Sequence, residues 1–334
     1  MGRILIIGGY GHVGQRIARR LVAARRPVML AGRDGAKART VAARLGCEAT
    51  ILDLERPETW TKPLSTASVV ICCLDTRSAE LARAVLERGV RLIDISATDS
   101  VLRRIEQLDD LARGTGALAV LSVGLAPGLT NLLVQEARAQ SPDATRFRIG
   151  VLLGLGDSHG TAAIDWTLRS LAPLAPGEIQ PLRFGDDRRP LPSIPFDFSD
   201  QHSLMRRGFP EVETRLALAS PLIAPLTLRA LAWSAGRPAL RRALAHSMPF
   251  LRIGSDRAAL VVEAYANDRE APACRLSLEG REEAEITAQV AAEVALRIEG
   301  MRVQGVRHLD DVLRLADMSG ALSAQQITFS DANS

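Results

Sequence analysis

"GGYGHVGQRI", residues 8–17, stands directly behind the apolar run "RILII" at 3–7, and its reading decides the fold. Gly9, Gly11 and Gly14 have the spacing G-x-G-x-x-G, between a strand-like run and the start of a helical pattern. In a nucleotide-binding turn each glycine has a steric task. The first permits the tight turn, the second lets the backbone approach a pyrophosphate, and the third lets the helix pack closely on the strand. The helix beginning there offers backbone N–H groups and the positive end of its dipole to phosphate oxygens. The same spacing also describes a glycine-rich turn with no ligand, so the choice rests on what surrounds it.

The next hundred residues repeat one rhythm. Short apolar runs at 3–8, 27–32, 48–54, 68–74, 91–96 and 118–123 alternate with helical patterns near 12–25, 35–45, 77–88, 99–113 and 127–140. Strands alternating with helices imply parallel strands joined by crossovers. Six of them make a Rossmann-type, doubly wound α/β sheet that binds its ligand at the C-terminal strand ends. In that setting the loop Gly9, Tyr10, Gly11, His12, Val13 and Gly14 is a dinucleotide cradle.

The end of the second strand chooses the cofactor. An NAD site places an acid there to accept hydrogen bonds from the ribose 2′-hydroxyl. Here the strand ends "MLAGRD", with Gly32 and Arg33 where the acid would stand. A guanidinium pairs with a 2′-phosphate and stacks on adenine, which selects NADP(H). Lys37 and Arg39 add charge nearby, while Asp34, one residue late, reads as a surface turn. Asp53 and Leu54, ending the third strand, fall beside the adenine. Cys73 and Leu74, Asp94 to Ser96, and Ser122 to Gly128 fall nearest the nicotinamide, at the ends of strands four to six.

Composition excludes other classes. The 334 residues are 47% apolar and 24% charged with net charge +4, a globular chain long enough for two cores. No arginine block is interleaved with aromatics, so nucleic acid is not an expected partner. Cys47, Cys72, Cys73 and Cys274 match neither a metal-ligand spacing nor a disulfide framework, which suits a reducing, cytoplasmic setting. The uncharged stretch 114–135 is broken by glycines and Pro127, and reads as strand, turn and helix rather than a membrane span.

The first domain is read as 1–140 and a substrate and dimerisation domain as 141–280, an α+β unit on a mixed or antiparallel sheet. "DRAALVVEAYAN" and "ACRLSLEG" flank "DREAP" as a hairpin within it. The same segment holds a competing signal. "GDSHG" at 156–160 matches the G-x-S-x-G nucleophile elbow, and Asp200 and His246 come later in the order of a hydrolase triad. A serine hydrolase leaves the N-terminal glycines and Arg33 without a purpose. A helix-capping turn at Ser158, or a loop carrying Ser158 or His159 to a substrate, accounts for the match as well.

Hydride transfer needs no protein nucleophile, because the cofactor carries the reaction. The protein has to hold the acceptor and balance its charge. A protonated imine asks only for a carboxylate, whereas a ketone asks for a proton donor. Asp94 is the carboxylate best placed for this, and it reads equally as a buried Asp bonded to neighbouring backbone N–H groups. Asn131 is a candidate for orienting a substrate carboxylate or amide. His159, Asp165 and Trp166, in the second domain, are candidates to close over the substrate, and each reads also as an ordinary core or helix-face residue.

Four stretches, "GGYGHVG", "AGR", "GVRLIDIS" (89–96) and "SVGLAPGLTNLLVQEA" (122–137), resemble the NADP-binding domain of the saccharopine dehydrogenase (saccharopine reductase-like) family. "EEAEITAQVAAEVALRIEG" with "GVRHLDDVL" is similar to its C-terminal helix, which implies that 281–334 packs back on the first domain. The centre of the chain matches no motif of the family. The resemblance implies NADPH-dependent reduction of an imine to a secondary or cyclic amine in a small metabolite. Ketone or enoyl reduction and a non-catalytic NADP-binding protein remain as alternatives, and the sequence leads us to expect a homodimer.

Overall fold

The computed structural model describes residues 2–331 except 76–78, 155–165, 169, 172–177, 186, 188, 220–227, 231–232, 235, 248–254, 267–269 and 324–327. The chain forms two compact units, Met1–Leu129 with Ala284–Ala321, and Thr130–Glu283 with Leu322–Ser334.

The first unit is built on strands β1 (Arg3–Ile7), β2 (Val28–Gly32), β3 (Glu48–Ile51), β4 (Ala67–Cys72), β5 (Arg91–Asp94), β6 (Leu118–Leu121) and β13 (Gly305–His308). Their order is β13-β6-β5-β4-β1-β2-β3, with every pairing parallel. All seven C-terminal ends therefore lie along one side of the sheet. The central strands read as near-continuous apolar runs because both faces are covered, and Ile4 to Ile7 of β1 are fully buried, whereas the edge strand β3 is partly exposed. The helix His12–Ala23 turns Ile17, Ala18 and Leu21 inward. The helix Glu283–Ile298 belongs to this unit, its Glu285 paired with Arg16 and Arg20 and the nearby Glu299 with Arg26.

The strands stop short of their apolar runs, so Asp53, Leu54, Cys73, Leu74, Ser96 and Ser122 stand in the loops beyond the ends. The helix expected over 99–113 is two, Asp99–Glu106 and Asp109–Gly114, because the chain breaks at Leu108. The helix expected from 127 begins at Thr130, since Ser122 at φ +56° and Gly128 at φ +137° turn the chain first. The unit also has a seventh strand that the six-strand reading lacked. β13 lies against β6 with Gly305 opposite Leu118 and His308 opposite Leu121.

The second unit is a mixed sheet of β7 (Ala144–Gly154), β8 (Gln180–Leu182), β9 (Leu191–Pro195), β10 (Glu211–Ala219), β11 (Arg257–Ala266), β12 (Cys274–Arg281) and β14 (Thr328–Asp331). The order is β14-β12-β11-β7-β10-β9-β8, with β7 and β10 parallel and the other pairs antiparallel. β11 and β12 form the hairpin read from the sequence, Ala264 opposite Cys274. The helix Thr130–Gln140 packs on β11 and β12. A boundary at 140 therefore gives way to one at Leu129, and a tail wholly on the first unit gives way to β14, which pairs with β12. Among the described residues no helix is long and apolar enough to cross a membrane.

Candidate cofactor site and active site

The loop after β1 is shaped by close contacts that leave no room for a side chain at Gly9 or Gly14. Gly8 takes φ +76°, and its N–H donates to the Ala31 carbonyl at 2.9 Å. The left-handed residue is thus Gly8, one position before the glycine to which the motif assigns the tight turn. Gly9 serves close approach instead: a Cβ there would stand 2.8 Å from the Ile6 carbonyl oxygen and 2.9 Å from Leu30 Cδ2. A Cβ on Gly14 would stand 2.5 Å from the Gly8 oxygen and 2.8 Å from Gly9 Cα, both backbone atoms that cannot yield. Gly11 caps the helix His12–Ala23 without a side chain, and the first turn holds no acid. That helix end is open to an anion. His12 and Val13 are half-buried in this first turn, and Arg16 Nη1 lies 3.1 Å from His12 Nδ1.

Beside this loop, the Tyr10 ring lies over Gly32, where a Cβ would come 2.3 Å from Tyr10 Cε1. The Tyr10 hydroxyl accepts the Asp34 N–H at 3.3 Å, and Gln15 Nε2 donates to the Tyr10 carbonyl at 2.7 Å. Arg33 is exposed and makes no hydrogen bond or ion pair among the described residues. Asp34, read from the sequence as a surface turn, is the N-cap of the helix Gly35–Leu45. Its Oδ1 accepts the N–H groups of Lys37 and Ala36, each at 3.0 Å, and these hold its carboxyl below the usual range. Next to Gly32, the Leu52 N–H donates to the Gly32 carbonyl at 3.2 Å. Asp53 then accepts the Glu55 N–H at 3.2 Å on Oδ1 and the Trp60 indole at 2.6 Å on its carbonyl, and Leu54 packs against the core.

The ends of β4 and β5 are drier. Cys73 N–H donates to the Ile7 carbonyl at 2.9 Å, and Leu74 lies against Gly8. Burial, reinforced by the charge of Asp94, pushes both the Cys72 and Cys73 thiols up, so they stay protonated. Asp94 is 2% exposed, and its Oδ1 accepts the Ser96 N–H at 2.8 Å. Burial raises its carboxyl to about 6, with Asp75 adding repulsion and the Ser96 hydrogen bond opposing the rise. Asp94 thus stands at the strand ends and bonds its own turn.

One constellation had no signal in the sequence. Ser122 Oγ lies 2.8 Å from His308 Nδ1, and His308 Nε2 lies 3.1 Å from Glu106 Oε1. The three come from the ends of β6, β13 and the helix Asp99–Glu106. No local spacing links them, because β13 joins the sheet only through the long-range pairing with β6.

The substrate-side candidates lie in the second unit. Asn131 is fully buried in the first turn of its helix, and Trp166 is half-buried with ring centroids 5.6 Å from both Phe196 and Phe198. His159, Asp165 and the whole "GDSHG" stretch lie outside the described residues. Asp200 of the hydrolase reading is fully buried and accepts the Gln201 N–H at 3.0 Å and the Thr214 hydroxyl at 3.2 Å.

The residues after β1 and β2 fit a dinucleotide bearing a 2′-phosphate. Gly9 and Gly14 carry no side chain where none would fit, the helix end accepts negative charge, and a guanidinium with no partner among the described residues stands where an NAD site has its acid.

Comparison with known proteins agrees with this geometry. Residues 4–120 match the family model of the saccharopine dehydrogenase NADP binding domain. No curated protein matches the chain. Among solved structures, the chain is similar to saccharopine dehydrogenase (L-Glu forming) from Saccharomyces cerevisiae. The identity is 14%, the TM-score 0.66, and 99% of this chain and 100% of that one are covered. It is also similar over part of its length to an imine reductase from Bacillus cereus, at 17% identity and TM-score 0.29, covering 38% of this chain and 44% of that one. The yeast likeness concerns the fold, and the match over 4–120 carries the cofactor, NADP(H).

Proposed function

We propose that the chain reduces a C=N bond of a small polar metabolite with NADPH as the hydride donor, yielding a secondary or cyclic amine. The observation that carries this reading is Asp94, a buried carboxylate raised to about 6 at the strand ends shared with the glycine loop. Above that pH it is an anion. The bound cofactor supplies the hydride. Asp94 attracts a protonated imine and orients its carbon toward the strand ends; that attraction fades as hydride neutralises the charge, so Asp94 serves binding and orientation. A ketone gathers negative charge on oxygen, which an ionised Asp94 opposes. The glycine loop, with Tyr10, His12 and Val13, holds the pyrophosphate, and Gly32 and Arg33 hold the 2′-phosphate. Asp53 and Leu54 border the adenine, and Cys73, Leu74 and Ser96 line the nicotinamide. The thiols stay neutral and add no competing nucleophile.

In this reading residues 130–283 form the substrate unit, with Asn131 and Trp166 as substrate ligands, and His159 and Asp165 are its catalytic candidates by sequence. The protein acts as a cytoplasmic homodimer, pairing through this unit. The test follows NADPH consumption across panels of cyclic imines, amine-plus-keto-acid mixtures, isolated ketones and activated alkenes. Turnover on imines, lowered at least about tenfold (about 1.4 kcal/mol of barrier) in Asp94→Asn, is expected. Turnover on ketones or alkenes with none on any imine sinks the C=N assignment.

A further inference from the structure

The phenol of Tyr10 has no task in the general fold. Its ring lies on Gly32, the residue whose place an NAD site gives to an acid, and leaves no space there for any side chain. Its hydroxyl oxygen takes the Asp34 N–H at 3.3 Å. A phenol that accepts one hydrogen bond still has its own proton to give, and the Tyr10 hydroxyl donates to none of the described residues. Arg33, next to Gly32 in the chain, is likewise without a partner among them. The carboxylate at this strand end, Asp34, is turned onto the N–H groups of Ala36 and Lys37, with Lys37 Nζ 3.7 Å from its Oδ2. The Tyr10 backbone is tied as well: Gln15 bonds its carbonyl and is itself bonded by Arg44.

We propose that Tyr10 is a selectivity residue for the 2′-phosphate, donating its phenolic proton to a phosphate oxygen beside Arg33 while its ring excludes an NAD-type acid from position 32. The inference rests on the NADP(H) reading of this site and adds to it a second, uncharged donor. A phosphate accepts from a hydroxyl and a guanidinium together. A free ribose hydroxyl has less to offer either donor, because hydrogen bonds to an ionised partner are roughly twice as strong as neutral ones.

The test uses half-cofactors, so that neither hydride transfer nor the substrate unit enters. The full-length protein is titrated calorimetrically with 2′,5′-ADP and with 5′-AMP, as wild type, Tyr10→Phe and Arg33→Ala. Wild type is expected to prefer 2′,5′-ADP. Tyr10→Phe keeps the ring over Gly32 and should lose about tenfold in affinity for 2′,5′-ADP, with 5′-AMP and the melting temperature unchanged. Arg33→Ala should lose at least as much. A Cβ at Gly32 supplies a second arm: Gly32→Ala should weaken 2′,5′-ADP in the Tyr10 background and do so far less in Tyr10→Ala, where no ring stands in the way. If Tyr10→Phe binds 2′,5′-ADP as wild type does while Arg33→Ala does not, the role of Tyr10 is overturned and the cofactor reading stands. If wild type itself binds 2′,5′-ADP no better than 5′-AMP, the NADP reading fails, and Tyr10 with it.

Discussion

Two stretches of the same sheet edge are built on opposite plans. After β1 and β2, hydrogen-bonding capacity is left over among the described residues: the helix end behind Gly11 has no side-chain cap, Arg33 has no partner and Tyr10 has a proton to give. After β5 and β6, several polar groups are bonded to one another, although the Ser96 hydroxyl is buried with no hydrogen-bond partner among the described residues. Asp94 takes the Ser96 N–H, and Ser122, His308 and Glu106 bond in series. A site that grips a permanent feature of its ligand, such as a phosphate, exposes donors in advance, because buried unmet groups are costly while solvated ones are not. Asp94 is built the other way: it is buried, and that burial raises its carboxyl to about 6.

The sharpest way to break the first half of this contrast is Gly14→Val. Its Cβ meets backbone 2.5 Å away, and helix and loop must part. Stability should fall by about 3 kcal/mol, and NADPH affinity should drop by more than about a hundredfold in fluorescence titration. Near-normal binding would mean that the loop is not the cradle.

Asp94→Asn probes the second half through pH. The folded carboxyl sits at about 6 against an ordinary 3.8, so between those values the folded chain holds a proton that the unfolded chain has released. The stability of the native protein is therefore lost as pH rises from about 4 to 6, and stays lost above. Asn carries no such penalty. The variant should gain up to about 3 kcal/mol at pH 8 and nothing at pH 4, read from paired denaturant melts. Imine reduction should fall as stability rises. A variant less stable than wild type at pH 8 would make Asp94 an anchor of its turn.

The smallest effect sharpens the division of labour at β2. Asp34→Ala removes a helix cap and should cost about 1 kcal/mol, leaving NADH binding as weak as before. If NADH binding falls tenfold, or roughly 1.4 kcal/mol, Asp34 is the ribose ligand after all, and the assignment to Arg33 has to be given up.

What could be read from residues alone was whatever short-range physics dictates. Apolar runs alternating with helical patterns marked the parallel sheet, because strands covered on both faces leave no polar positions. The missing acid at Gly32 and Arg33 was legible for the same reason: it lies at a fixed distance from a recognisable turn. Asp34 was misjudged although the pattern Asp-Gly-Ala-Lys ahead of a helix carries a cap signal. Gly8 was overlooked because the motif draws attention to its successor. The series Ser122–His308–Glu106 was out of reach, since Ser122 and His308 lie 186 positions apart and only strand pairing joins them. In the second unit, local patterns gave the β11–β12 hairpin, whereas the parallel β7–β10 pair and the return of β14 depend on contacts that no short stretch encodes.

The late arrival of β13 has a consequence for synthesis. A ribosome delivers β1 to β6 in one pass, then the strands β7 to β12 of the second unit, and only afterwards the strand that covers the outer edge of β6. During that interval β6 presents an unpaired row of amides and carbonyls, the template on which sheets recruit foreign strands. The segment 4–120 that matches the family model ends at this strand and omits its cover. The nucleotide unit is therefore the first to begin and among the last to close, and its exposure to aggregation grows with the time the ribosome takes to translate the intervening residues.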